Sequence, residues 1–171
     1  MGSDEKLVAR VATGDAAALE ELLRRYERPL SAFLHRRTGG VDVEDLFQET
    51  WMRVVRGAPG FDTSRRFSSW LFQIATNLCR DWWRSRRPEI GFEEFDDIQS
   101  PAGERTELAL TADALLATLP EAQREALLLR YYHDVSEAEM SAILGCPRGT
   151  VKSRIHNALA RLSALVRRDE Q

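Results

Sequence analysis

The stretch SEAEMSAILGCPRGTVKSRI, residues 136–155, places two short helical segments on either side of a glycine. Ser136 followed three residues later by Glu139 forms a capping box, which opens a helix by satisfying its first amide groups. Gly145 supplies the positive φ that a tight turn requires. A second helix begins near Pro147, because proline suits the first helical turn. The stretch therefore predicts a helix-turn-helix.

The second of these helices carries a polar and basic face near its amino terminus. Ser141 and Val151 flank the glycine, where a small side chain lets the helices approach and an apolar one fixes the second helix. Such a helix presents its first residues to base edges in the major groove. A helical hairpin with a merely solvated charged face is the simpler alternative, but the coincidence of these features favours binding to duplex DNA. The candidate contact residues are Arg148, Thr150, Lys152, Ser153, Arg154, His156, Asn157 and Arg161.

The charge of the chain is unevenly distributed. Over 171 residues the net charge is −3, which by itself argues against a nucleic-acid partner. Residues 1–87 carry 15 basic and 12 acidic side chains, whereas residues 88–107 carry 1 and 7. Residues 148–168 contain six basic side chains and no acid. Because local charge governs binding to a polyanion, the two basic parts are candidates for DNA contact.

Apolar residues step by three and four through most of the chain, which is typical of amphipathic helices. No run shows the alternation of a strand, so the sequence predicts an all-α protein. Caps and breakers divide the first half into three helical segments. These segments are bounded by Asp15 and Gly39, by Val41 and Gly57, and by Phe67 and Pro88.

An acidic segment separates two helical parts. Residues 88–107 contain prolines, glycines and most of the excess acid, and are predicted to be a flexible linker. Helical spacing resumes near Leu108, and Pro120 suits the start of a further helix. The sequence thus predicts two small helical domains, residues 5–87 and 108–168.

Two faces in the first half are polar. Asp45 and Glu49 form an (i, i+4) pair on the second segment, close to Gln48 and Arg53, and a plain solvated face is the simplest interpretation of such charges. On the third segment, amide and guanidinium groups lie opposite the apolar stripe, where they can bond bases and phosphates. This second set is Gln73, Asn77, Arg80, Asp81 and Arg84.

The sequence also predicts the surroundings of three tryptophans and of both cysteines. Trp70 and Trp82 lie on the apolar stripe and are predicted to be core residues. Trp83 lies off that stripe, where it either stacks on a base or, as we favour, covers a flank of the core. Cys79 and Cys146 have no second ligand at a metal-binding spacing, so they are predicted to be reduced and packed.

Three blocks of sequence resemble extracytoplasmic-function sigma factors of the sigma-70 family, in family order and at family spacing. Glu44–Trp51 is similar to region 2.2, Trp70–Asp81 to region 2.3, and Leu108–Leu165 to region 4. The resemblance covers about residues 5–168. Met140 and Ser141 replace the usual Ile-Ala, a mild departure that keeps side-chain size and burial.

The resemblance implies a role for each block. Region 4 reads the −35 promoter element, through the helix-turn-helix residues given above. Region 2.2 docks on the clamp helices of the largest polymerase subunit. Region 2.3 captures a flipped base of the −10 element, together with the preceding loop, residues 60–66. The implied docking residues are Asp45, Gln48, Glu49 and Arg53, and the implied −10 residues are Arg65, Arg66, Asn77, Arg80 and Arg84.

The acidic linker has three interpretations. It is a solvated tether, or, by resemblance, a segment that threads the polymerase cleft and mimics nucleic-acid charge. Its apolar residues Phe92, Phe95 and Ile98 also suit packing on a folded unit in an inhibited state.

The predicted partners are core RNA polymerase, promoter DNA and, by resemblance, an anti-sigma factor. The free protein is expected to be a cytoplasmic monomer, or a heterodimer with the anti-sigma factor. We expect no membrane insertion, cofactor or metal. The first alternative is a helix-turn-helix regulator that acts without replacing sigma. A nucleic-acid enzyme is the second, but the sequence has no acidic metal cluster, phosphate-binding glycine loop or partnered nucleophile, so no enzymatic activity is expected.

Overall fold

The computed structural model describes residues 2–86, 112–132 and 135–169. Within these ranges every regular element is helical and no β-strand occurs, which confirms the predicted all-α class. The chain divides into two compact units, Met1–Trp83 and Arg84–Gln171. The predicted linker, residues 88–107, lies outside the described residues. No described helix is long and apolar enough to cross a membrane.

The first unit packs four α-helices around one apolar core. Its centre is made by large side chains with no more than 1% exposure, among them Phe33 and Phe72, whose rings meet edge to face at 5.3 Å. Burial of such rings is the main stabilising term in a small helical unit. The helices are α1 (Asp4–Val11), α2 (Ala16–Thr38), α3 (Val43–Gly57) and α4 (Phe67–Arg86), with a 3₁₀ turn at Ala58–Gly60.

Helix boundaries follow the predicted caps. The Asp15 carboxylate accepts the amides of Ala17 and Ala18 at 3.0 and 3.1 Å, and Gly39 ends α2 in the left-handed conformation. Helix α1 was not predicted, because eight residues give too few turns to establish a period. It buries Leu7, Val8 and Val11.

The end of α4 is bonded to the corner between α2 and α3. The Trp82 indole N–H donates to the Asp42 carboxylate at 2.9 Å, and the Trp83 indole N–H donates to the Arg37 carbonyl at 3.1 Å. Asp42 has a φ of 53°, in the left-handed region that aspartate tolerates better than most residues. Trp83 therefore covers a flank of the core, as favoured above.

Trp70 and Trp82 were predicted to be core residues, but both are only half buried. Trp82 keeps its indole N–H on the Asp42 carboxylate, and Trp70 stacks on Phe61 with ring centroids 4.7 Å apart. A large ring with a polar edge sits readily at the border of a core. Of the two free cysteines, Cys79 is buried and Cys146 is half buried.

Gly57 lies against Trp70 so closely that a Cβ there would be 2.8 Å from the indole Cζ2. We expect Gly57→Ala to lower the free energy of unfolding of the first unit by about 1–3 kcal/mol, because overpacking forces the ring to move. Urea unfolding followed by tryptophan fluorescence measures this. Gly60→Ala is the matched control, since a Cβ at Gly60 meets nothing within 4 Å. Equal effects of the two substitutions would contradict the prediction.

The second unit contains the helix-turn-helix, as predicted. Both hydrogen bonds of the capping box at Ser136 and Glu139 are present, and Gly145 ends α7 with a φ of 64°. Val135, Met140 and Val151 are among its buried side chains. Its helices are α5 (Ala112–Ala117), α6 (Glu121–Tyr132), α7 (Glu137–Leu144) and α8 (Arg148–Asp169).

Candidate nucleic-acid and protein-docking interfaces

The turn between α7 and α8 is held by a side chain. The Ser141 hydroxyl donates to the Cys146 carbonyl at 2.6 Å, and the Val151 side chain is fully buried. The burial of Val151 confirms its predicted role, whereas Ser141, predicted to act through its small size, holds the turn through its hydroxyl. Together they fix the direction in which α8 leaves the turn.

The exposed side of α8 presents two rows of polar side chains. Positions four apart lie one above the other on a helix, so Arg148, Lys152 and His156 form one row, and all three are exposed. A neighbouring row, also exposed, contains Ser153, Asn157 and Arg161. Between Arg148 and Arg161 these rows extend for about 20 Å along the helix axis.

Two of the predicted contact residues differ from the rest. Thr150 and Arg154 are only half buried rather than exposed, and an Arg154 guanidinium N–H points to the Cys146 sulfur at 3.6 Å. Part of the Arg154 side chain thus packs within the second unit. Lys152 is exposed, and its ammonium lies 3.6 Å from the Glu137 carboxylate, a loose ion pair of small energy.

Helix α4 separates a buried stripe from an exposed polar face. Asn77 and Arg84 are exposed on that face and Arg80 is half buried, while Ala75 and Leu78 are buried. Asn77 and Arg84 are seven residues apart, about 10 Å along the helix. The face is therefore an uninterrupted polar track beside the core.

The loop before α4 carries the two other cations predicted there, Arg65 and Arg66, both exposed. A turn shapes it, because the Asp62 carboxylate accepts the Ser64 amide at 2.9 Å. The backbone and hydroxyl of Ser64 lower the pKa of Asp62, so its carboxylate stays ionised. The structure thus places these arginines directly before the amino terminus of α4.

The predicted docking residues lie along α3. Asp45, Gln48 and Arg53 are exposed and Glu49 is half buried. Glu49 accepts an Arg53 guanidinium N–H at 2.9 Å, an (i, i+4) ion pair. Both side chains of that pair remain accessible enough to exchange this contact for one with a partner.

An apolar groove beside these residues was missed by sequence reasoning. It lies between α2 and α3 and has a volume of about 500 Å³. Met52 and Val55 are 48% and 42% exposed there. Neighbouring apolar side chains that are both this exposed form a patch of the kind that binds a partner. The apolar periodicity places Leu19, Leu23 and Val55 on the core stripes of their helices, but the structure leaves Val55 exposed and the two leucines half buried. The available signal was that each helix carries more apolar residues than its core face needs. The lining residues are Leu19, Leu23, Phe47, Gln48, Trp51, Met52, Val55 and Arg56.

Comparison with known proteins assigns both units. Residues 22–89 match the family Sigma-70 region 2, and residues 110–162 match Sigma-70, region 4. The ECF RNA polymerase sigma factor SigW of Bacillus subtilis is 31% identical over 169 residues, which are 89% of this chain and 90% of that protein.

The chain belongs to the ECF family of RNA polymerase sigma factors.

Two solved structures resemble this sigma factor over most of its length. CnrH, in complex with the cytosolic domain of CnrY, has a TM-score of 0.73 at 30% identity and covers 98% of this chain and 99% of its own. Sigma factor RpoE of Bartonella quintana, in complex with the anti-sigma factor NepR, has a TM-score of 0.70 at 28% identity and covers 86% of this chain and 96% of its own.

The family assignment confirms the predicted fold and the predicted class of function. A regulator that acts without replacing sigma is not favoured, because both sigma regions are matched in one chain. The candidate −10 and docking residues fall within the region 2 match, and the candidate −35 residues fall within the region 4 match. Among the residues that the structure describes, no group of three or more His, Cys, Asp or Glu side chains is arranged to hold a metal.

Proposed function

We propose that this sigma factor binds core RNA polymerase through α3 and directs it to promoters with −10 and −35 elements, through α4 and α8. The observation that carries the proposal is that one chain exposes three separate surfaces, which are of two chemical kinds. One surface is an apolar groove with a charged rim, and two are polar helix faces with basic side chains. Docking on polymerase accounts for the groove and DNA recognition accounts for the two polar faces, and neither role needs an enzymatic step or a cofactor.

The −35 element is the duplex ligand of α8 in this proposal. The two exposed rows, Arg148–Lys152–His156 and Ser153–Asn157–Arg161, supply donors for guanine, for adenine and for phosphates. The half-buried Thr150 and Arg154 stand at the edge of this surface. Arg154 both packs in the second unit and contributes positive charge.

The −10 element is held as a single strand on α4 and on the loop before it. Arg65, Arg66, Arg80 and Arg84 supply charge for the backbone, and Asn77 supplies an amide that can pair with a base edge. Burial of the opposite face of α4 fixes the helix backbone that carries Asn77, Arg80 and Arg84 before the strand arrives. Such preorganisation reduces the entropy lost on binding.

Asn77→Ala is expected to reduce promoter opening about tenfold, since loss of one base contact typically costs about 1–3 kcal/mol. Permanganate reactivity of thymines around the start site, measured in holoenzyme–promoter complexes, reports opening. Glu20→Ala, an exposed substitution on α2, is the control. Unchanged reactivity with Asn77→Ala would remove that residue from the −10 site.

Core polymerase is the partner of α3. Asp45, Gln48, Glu49 and Arg53 lie along α3, and Gln48 also lines the apolar groove. An interface with an apolar centre and a polar rim is the usual arrangement for specific association. The groove therefore extends the docking surface beyond the four predicted residues.

Regulation by an anti-sigma factor follows from the likeness to the RpoE–NepR complex. In this proposal the free protein is a monomer in the cytoplasm, and the anti-sigma factor forms a heterodimer with it. The functional domains are residues 5–87 and 108–168, joined by the acidic linker 88–107.

Run-off transcription tests the proposal as a whole. Purified core polymerase is mixed with this protein and with fragments of the source genome, and new transcripts are mapped. Specific start sites that require the added protein are expected. Their absence, with a characterised sigma factor active in a parallel reaction, would refute the proposed function.

A further inference from the structure

A cleft of about 590 Å³ opens between α1 and the loop that precedes α4. Two of its lining residues, Arg65 and Arg66, are already candidates for the −10 strand, but its α1 wall carries no residue that has been given a role. Loop residues 63–66 form one wall. The other wall is formed by Ser3, Glu5, Lys6 and Ala9.

Helix α1 forms one wall of the cleft and is held in place by side-chain hydrogen bonds to α2 and α4. The Glu5 carboxylate accepts the Phe67 amide at 3.0 Å, and the Asp4 carboxylate receives an Arg25 guanidinium N–H at 2.6 Å. The Phe67 amide lowers the pKa of Glu5, which therefore stays ionised at neutral pH. The Tyr26 hydroxyl also donates to Asp4. These contacts join α1 to both α2 and α4, so the cleft exists before any ligand arrives.

The lining is predominantly cationic. Glu5 is the one acidic residue that lines the cleft with Lys6, Arg65 and Arg66, and its carboxylate is already bonded to the Phe67 amide. The Asp62 carboxylate, which does not line the cleft, also interacts with Arg65. Within the described part of the chain, the side chains of Lys6 and Arg65 make no hydrogen bond or salt bridge. Serine and threonine hydroxyls complete the lining. This set of groups suits a phosphate with an attached sugar.

The distance between the cleft and Asn77 on the −10 face is longer than one nucleotide. Arg66 directly precedes α4, and Asn77 is ten residues after the first residue of that helix. Ten residues correspond to about 15 Å along the axis, which exceeds the reach of one nucleotide. A strand that contacts both Asn77 and the α1 wall of the cleft therefore contributes different nucleotides to the two, even where the loop between them helps to hold the flipped base.

We propose that the α1–loop cleft is a second nucleotide subsite, which binds the sugar-phosphate of the single strand whose base is held at Asn77. This inference rests on the proposed −10 function and extends the strand path onto α1. Lys6 contacts the phosphate directly, opposite Arg65. Glu5 positions α1 through Phe67, and its charge limits how tightly the strand is held.

Charge substitutions test the subsite by the sign of their effects. The assay measures binding of the holoenzyme to a forked promoter DNA with a single-stranded −10 region, taken from a promoter identified by run-off transcription. Lys6→Ala is expected to weaken binding about fivefold and to reduce the salt dependence by about one phosphate contact. Glu5→Gln keeps an acceptor for the Phe67 amide but removes the negative charge, so it is expected to tighten binding.

Arg10→Ala is the matched control for Lys6→Ala. It removes the same charge from the same helix region, but Arg10 pairs with Asp15 and does not line the cleft. Unchanged binding is expected. Equal weakening by Arg10→Ala and Lys6→Ala would overturn the subsite. Weakening by Glu5→Gln would also overturn it, because removal of a negative charge beside a bound phosphate should tighten binding.

Photocrosslinking distinguishes failure of the proposed subsite from failure of the proposed −10 function. A p-benzoylphenylalanine replaces exposed Ala9 in the cleft, or Gln73, one turn from Asn77 on α4. Crosslinks from both positions to different nucleotides of one strand are expected in open complexes. A crosslink from the Gln73 position alone would overturn the subsite and leave the −10 function standing. If neither position reaches the strand, both proposals are wrong.

Discussion

Arg148→Ala combined with Lys152→Ala should reduce transcription from a −35-dependent promoter about 50-fold while leaving core polymerase binding unchanged. Both side chains are exposed in the same row of α8, and neither contributes to the core of the second unit. Loss of an Arg contact to a base costs about 1–3 kcal/mol, and loss of a phosphate contact adds to it. Quantitative run-off transcription and native-gel titration of core polymerase measure the two quantities.

Arg167→Ala is the control for this pair, because it removes a charge from exposed α8 beyond both rows. It should have little effect on transcription. Arg154→Ala is less informative than Arg148→Ala, because Arg154 is half buried and its guanidinium approaches the Cys146 sulfur, so its removal would perturb the fold as well as the surface. An equal loss of transcription and of polymerase binding would refute the division of roles between α3 and α8.

Met52→Glu should weaken binding to core polymerase about 100-fold. Met52 lies in the apolar groove and is 48% exposed, so glutamate there remains hydrated in the free protein and costs little folding energy. In a complex that covers the groove, the carboxylate would lose water without gaining a partner, a cost of several kcal/mol. Fluorescence anisotropy of the labelled protein titrated with core polymerase measures the affinity.

Val41→Glu provides the matched control. Val41 is 45% exposed and lies outside the groove, so the same type of change is made to an apolar surface residue elsewhere in the first unit. Its affinity for polymerase should stay within about twofold of the parent protein. Normal affinity with Met52→Glu would show that the groove is not part of the docking surface.

Local sequence patterns predicted the helix-turn-helix well, because its determinants lie within a few residues of one another. The capping box at Ser136, the turn at Gly145 and the buried Val151 each act through neighbours in sequence. Caps and glycines placed most other helix ends for the same reason. Their energies depend on backbone geometry that one residue type imposes.

Features formed by distant segments could not be predicted in this way. The apolar groove requires Leu19 and Leu23 to meet α3, and the cleft requires α1 to meet the loop before α4. Extra apolar residues mark α2 and α3, but no local pattern shows that these two helices meet there, or that α1 meets the loop. Trp70 also shows the limit of periodicity, since the stripe identifies the side of a helix but not how deeply a ring at its border is covered.

The two indole hydrogen bonds at the end of α4 have a mechanical consequence. Trp82 and Trp83 attach the last turns of this helix to Asp42 and to the Arg37 carbonyl. A load on the residues after Arg86 would therefore be shared by these two hydrogen bonds before it reached the candidate −10 face of α4.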